Sequence, residues 1–126
     1  MTFEALISRA QSVLNPRKIA RNAEAGGVAA ALLTDKGNVH TGVCIDTACG
    51  MGFCAEHAAV AAMVTAGESR IVKAVAVGTR GVMPPCGRCR EFMSQIDDKN
   101  RSAEVMVSAD TIVTLDALLP FDWASV

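Results

Sequence analysis

Three thiols and one carboxylate stand at spacings that can do hydrolytic chemistry. They fall in Cys54-Ala55-Glu56 and in Pro85-Cys86-Gly87-Arg88-Cys89. Three soft sulfur ligands suit a zinc ion and leave the fourth tetrahedral position open to water. Glu56 sits two residues beyond the first thiol, placed to carry protons rather than to bind metal. A metal held this way lowers the pKa of water, and a nearby carboxylate shuttles the protons that hydrolysis moves.

Each part alone admits other readings. Cys86-x-x-Cys89 reads as a redox pair or as half of a structural zinc site. A redox pair normally follows the first strand of its domain, and this one comes late. His57 could close a Cys₃His site, but it follows Glu56 in the same helical turn and reads better as a residue packed behind the ligands. Cys44 and Cys49 have no partner at short metal-binding spacing, and Cys44 reads as a buried small hydrophobe. Three thiolates on Zn²⁺ leave a net charge of about −1. A hydrogen-bond donor to sulfur is therefore expected among His57, Arg88 and Arg90.

The elements that must position these groups follow from pattern. Thr2 caps a helix in which Phe3, Leu6, Ile7, Ala10, Val13 and Leu14 recur at helical spacing, stopped by Asn15-Pro16. Pro16–Gly27 reads as a loop or irregular helix. Val28–Thr34 and Val39–Asp46 form a hairpin around Asp35-Lys36-Gly37-Asn38. Cys44 and Asp46 then share a face. Helices are expected over Cys54–Ala66 and from Cys86 to Ile96, with both thiol groups at helix N-termini, where partial positive charge favours thiolates. Strands are expected at Ile71–Gly78 and Glu104–Val107, and a short helix at Thr114–Leu119 before an aromatic tail of Phe121-Asp122-Trp123. Strand–helix–strand order implies parallel pairing with helices on both faces: a three-layer α/β domain with a mixed sheet of about five strands.

Composition excludes several classes. The 126 residues suggest one domain spanning 1–126, long enough to bury a core without disulfides. A net charge of −1 without a basic run offers no footprint for a polynucleotide. No apolar run approaches bilayer length, and Glu4 and Arg9 interrupt the first apolar pattern, which speaks against a secretory leader and a membrane partner. Five cysteines cannot all pair within the chain, so reduced thiols and a cytoplasmic location are expected. The Ala-rich, aromatic-poor composition favours a homo-oligomer.

Cys-Ala-Glu followed by Pro-Cys-x-x-Cys is the three-cysteine form of the zinc deaminase signature. With Val28–Gly37, Thr41-Gly42-Val43, Pro85–Arg90 and Leu118-Leu119-Pro120, the chain resembles the cytidine deaminase family in its small three-cysteine branch. The resemblance implies a cytidine-deaminase-like fold, Zn²⁺, and usually a homotetramer. It also implies hydrolysis of cytidine or deoxycytidine to the uracil nucleoside and ammonia, the chemistry of pyrimidine salvage. By position Cys54, Cys86 and Cys89 would hold zinc, Glu56 would shuttle protons, and the Ala55 backbone would touch the base. Cys44 and Asp46 stand where the family carries an Asn-x-Glu pair toward ribose, and Gly26-Gly27 where it carries an aromatic residue. The Pro-Cys-Gly-Arg-Cys-Arg stretch, the Val-Ala run after Gly27 and a C-terminal Trp also resemble blasticidin-S deaminase, with Trp123 a candidate to close the pocket. A blasticidin-type or other aminopyrimidine or aminopurine deaminase is therefore the alternative, and a non-catalytic zinc-stabilised module the remote one.

Overall fold

The sheet is built on β2 (Ala23–Thr34), whose run of small and aliphatic residues is covered on both faces. A computed structural model describes residues 1–125. In it, β3 (Val39–Thr47) pairs antiparallel along one edge of β2. The other edge is shared by β1 (Arg17–Ala20), at Ala23 to Ala25, and β4 (Ile71–Gly78), from Val28 onward. β5 (Gly81–Met83) folds back on β4. β6 (Glu104–Ser108) pairs parallel with β4, and β7 (Thr111–Thr114) closes the far edge antiparallel to β6.

Alternation along β2 separates two cores, because successive side chains leave a strand on opposite faces. Ala29, Ala31 and Leu33 meet Leu6 and Ala10 of α1 (Phe3–Gln11) together with Val75 and Val77. Ala30 and Leu32 meet Ala59, Val60 and Met63 of α2 (Ala55–Thr65) and Met93 of α3 (Gly87–Ile96). The three-layer mixed architecture thus forms as the sequence implies. α1 is capped by Thr2, whose Oγ1 accepts the Ala5 N–H at 3.1 Å.

The sheet has seven strands rather than about five. Pro16–Gly27 is not a loop or helix: it holds β1 and the start of β2. All four residues of β1 are exposed, so no apolar alternation announces the strand. β5 is only three residues long. Thr114 belongs to the edge strand β7, and only Asp116–Leu118 of the expected last helix forms, as a 3₁₀ turn.

The two ends of β2 differ. Near its start, Gly26, Gly27 and Val28 bulge out opposite Cys44 alone, between the pairs Ala25–Ile45 and Ala29–Val43. At its end, Thr34 Oγ1 donates to Glu68 Oε1 at 2.8 Å, Asn38 Nδ2 does so at 3.1 Å, and His40 Nε2 meets Glu68 Oε2 at 2.6 Å. The His40 contact leads the forces that hold the Glu68 carboxyl below its ordinary range. Glu68 is delivered there by the C-terminus of α2. Gly67 takes φ +88°, its N–H bonds Val64 O, and the Glu68 N–H bonds Met63 O, the paired bonds of a Schellman motif. Beside it, fully buried Asn100 accepts the Ile71 N–H at 2.7 Å and donates to Ser69 O and Met93 O.

Candidate active site

α2 and α3 both begin beside the bulged end of the sheet. Cys54 is the N-cap of α2 and Cys86 the N-cap of α3, with Cys89 one turn further along. The chain reaches Cys54 by doubling back on β3: Phe53 and Ile45 exchange backbone bonds of 2.9 and 3.0 Å. Gly52 permits this, since a Cβ there would lie 1.8 Å from Ile45 O. At the α3 entrance, Arg90 Nε donates to Pro85 O at 2.8 Å and fixes the turn that presents Cys86.

The three sulfurs converge. Cys54 Sγ lies 3.4 Å from Cys86 Sγ, which lies 3.5 Å from Cys89 Sγ, and all three fall within 4.8 Å of one another. Tetrahedral zinc with bonds of about 2.3 Å would hold neighbouring sulfurs about 3.8 Å apart. The cluster therefore fits Zn²⁺ with small adjustment, and soft thiolates are the donor set that zinc selects. Cys44 and Cys49 stand outside it. Cys44 Sγ instead accepts the Val28 N–H at 3.2 Å, which the bulge frees from the ladder. Cys49 is exposed in the loop after β3.

Burial shapes the ionisation of these groups. It pushes the Cys54 and Cys89 thiols up, and in Cys89 the nearby Glu56 carboxylate adds to this. Burial also opposes ionisation of Cys86, but the amides of Cys89 and Arg88 and the two neighbouring thiols outweigh it, so this thiol ionises more readily than usual. Burial raises the Glu56 carboxyl, against the pull of its own amide and the Cys89 thiol. His57 is held below its ordinary range by burial first and by the Arg88 charge second.

A cavity of about 530 Å³ opens over these groups, a volume suited to a small ligand. Its lining brings together Glu56, Ala55, Cys54, Cys86, Arg88, Cys44 and Asp46, along with Gly27 and Val28 from the bulge. His57, Cys89 and Arg90 lie behind this surface. Trp123 is elsewhere: its Nε1 donates to Glu91 Oε1 on α3, and its ring is largely exposed. Sequence reasoning missed Thr47, which lines the cavity and whose buried hydroxyl has no partner among the described residues. It also missed Met83 and Pro84, which β5 delivers to the rim. The aromatic neighbours of His57 escaped it too: Phe92 stacks at 4.3 Å between centroids and Phe53 lies at 6.3 Å. Their signal was the position of Phe53 beside Cys54 and of Phe92 one helical turn after Cys89.

A three-layer α/β domain with a three-thiol zinc site and a buried carboxylate at paired helix N-termini defines the class. The chain belongs to the family described as the cytidine and deoxycytidylate deaminase zinc-binding region, whose model matches residues 4–105. It is similar to the cytidine deaminase of Mycobacterium tuberculosis, at 40% identity over 68 residues. That match takes in 52% of this chain and 51% of the relative, so the chain spans about half the length of the curated relatives it matches. Solved structures are similar over more of the chain. The M. tuberculosis cytidine deaminase superposes with a TM-score of 0.81 at 26% identity, covering 98% of each chain. The Burkholderia pseudomallei cytidine deaminase does so at 0.78 and 27%, covering 98% of this chain and 100% of the other. These relatives are cytidine deaminases, and the blasticidin-S likeness rests on sequence motifs alone.

Proposed function

We propose that this chain is a zinc-dependent deaminase that hydrolyses a cytosine-type nucleoside, cytidine or deoxycytidine, to the uracil nucleoside and ammonia. The observation that carries the reading is Glu56, a buried carboxylate facing the cavity beside three thiols but outside their cluster. Cys54, Cys86 and Cys89 would hold Zn²⁺, which supplies Lewis acidity that lowers the pKa of water.

The chain's own residues do the rest. Glu56 takes a proton from the attacking water and gives it to the ring nitrogen beside the amino-bearing carbon, which gains the hydroxyl. Loss of the amine then breaks the carbon–nitrogen bond. Glu56 carries the hydroxyl proton to the departing nitrogen, which leaves as ammonia. Burial suits it to both tasks, because a raised pKa brings acid and base forms closer in energy near neutral pH. The backbone of Ala55 meets the base, Asp46 accepts from a sugar hydroxyl, and Cys44 forms an apolar wall.

We read residues 1–126 as one domain, acting in the cytoplasm, where its free thiols stay reduced. Copies assemble as a homo-oligomer, a tetramer by family resemblance; exposed Phe121 and Met51 support burial between subunits. A second reading, a blasticidin-S-type aminopyrimidine deaminase, is favoured by the cavity wall at Gly27 and Cys44, which presents neither an aromatic ring nor an amide.

The test is ammonia release from cytidine, deoxycytidine, cytosine and blasticidin S by zinc-loaded protein. Glu56→Gln should keep its zinc and lose about 10²–10⁴-fold in turnover. Zinc-bound wild-type protein that releases ammonia from none of the four would overturn the reading. Turnover of blasticidin S alone would transfer it to the second.

A further inference from the structure

The three thiols are not equally provided for. Cys54 and Cys86 occupy N-cap positions, at the positive ends of the α2 and α3 dipoles. Cys89 lies one turn inside α3 and is fully buried, at 0% exposure. A buried thiolate without a donor is costly, and water cannot reach this one. The donor must come from a side chain.

One side chain is in place. His57, in the first turn of α2, brings Nδ1 to 3.2 Å from Cys89 Sγ. Its ring lies at 5° to the plane of Phe92 with centroids 4.3 Å apart, and Phe53 lies 6.3 Å away at 17°. Stacking of this kind restricts the ring to one plane. A metal-bound thiolate has no proton to give, so the contact is satisfied only when Nδ1 carries the hydrogen. Neither arginine hydrogen-bonds a sulfur among the described residues. Arg90 spends its Nε on Pro85 O, and Arg88 is exposed with no hydrogen-bond partner among the described residues.

We propose that His57 is the positioning residue of the metal centre, its Nδ1–H holding the Cys89 sulfur as a directed thiolate. The inference rests on the zinc reading above and deepens it. The hydrogen bond draws charge from one of three sulfurs that together overcompensate Zn²⁺, leaving the ion a stronger acid toward water. The aromatic stack makes this donor part of the packing between α2 and α3.

Two variants separate the donor from the stack. His57→Phe keeps an aromatic ring against Phe92 and removes the N–H. His57→Asn removes the ring and places an amide N–H near the same point. Zinc affinity is read by competition with a chromogenic chelator, and the sulfur by the thiolate-to-cobalt charge-transfer band of Co²⁺-loaded protein. Expected are about 10–100-fold weaker zinc binding and a band at lower energy for His57→Phe, with both readouts recovered in His57→Asn. Wild-type affinity and an unmoved band in His57→Phe overturn the inference while leaving the zinc site standing. Equal losses in the two variants assign the effect to packing and overturn it as well. Wild-type protein that binds no zinc overturns the site and the inference together. A readout on the zinc-loaded wild type needs no variant to fold: ¹⁵N spectra should show His57 protonated at Nδ1, and protonation at Nε2 alone refutes the proposal.

Discussion

The two ends of β2 are built for opposite purposes. At one end Gly26, Gly27 and Val28 leave the β3 ladder, a cavity opens, and the buried Thr47 hydroxyl has no partner among the described residues. At the other, Thr34, Asn38 and His40 converge on Glu68, and Asn100 satisfies three backbone groups from inside. α2 joins them, with Glu56 at its first turn and Glu68 just past its last. Satisfied buried polar groups rigidify, and unsatisfied ones await a partner. The closed end holds the helices in register, so that the open end can present sulfur and carboxylate at fixed separations.

If this division is right, changes at the open end should cost metal and turnover, and changes at the closed end should cost stability. The largest effect is expected from Cys89→Ala. It should abolish stoichiometric zinc and all measurable turnover while the far-ultraviolet circular dichroism stays native. Full zinc retention there would break the comparison. Asn100→Ala comes next. It orphans the Ile71 N–H and the carbonyls of Ser69 and Met93, and should lower unfolding free energy by about 3 kcal/mol in urea, with zinc content unchanged.

Neighbouring glycines in the bulge sharpen the contrast. At Gly26 φ is +80° and a Cβ would lie 2.0 Å from Asn15 O, so Gly26→Ala should destabilise by about 2 kcal/mol or more. At Gly27 a Cβ meets only Cys44 Sγ, at 4.0 Å. Gly27→Ala should therefore leave stability within about 0.5 kcal/mol and act on KM instead.

The smallest effect concerns acid. Hydrogen bonding lowers the folded Glu68 pKa, so its stabilisation is complete above the ordinary carboxylate range and fades as pH falls through the folded value. Glu68→Gln should flatten that acid limb of the melting-temperature profile. An unchanged limb would remove Glu68 from the account.

The site was legible in the sequence where its chemistry is local. Cys54 and Glu56 share one turn, as do Cys86 and Cys89, and a helix N-terminus shows itself through flanking residues. The sequence could name His57, Arg88 and Arg90 as donors but could not choose, since the choice depends on how α2 and α3 pack. β1 stayed hidden because its residues are all exposed, and β5 because three residues carry no period. The polar cluster at Glu68 joins residues from Thr34 to Glu68 that no local motif links.

Gly42 lies on β3, away from the cavity lining, where a Cβ would come within 2.4 Å of the Ala59 nitrogen in α2. Helix and strand touch there backbone to backbone, and any side chain would lift α2 and carry Glu56 with it. In a genetic screen for loss of activity, Gly42 should behave like an active-site codon, recovered repeatedly and tolerant of nothing, although no substrate ever meets it.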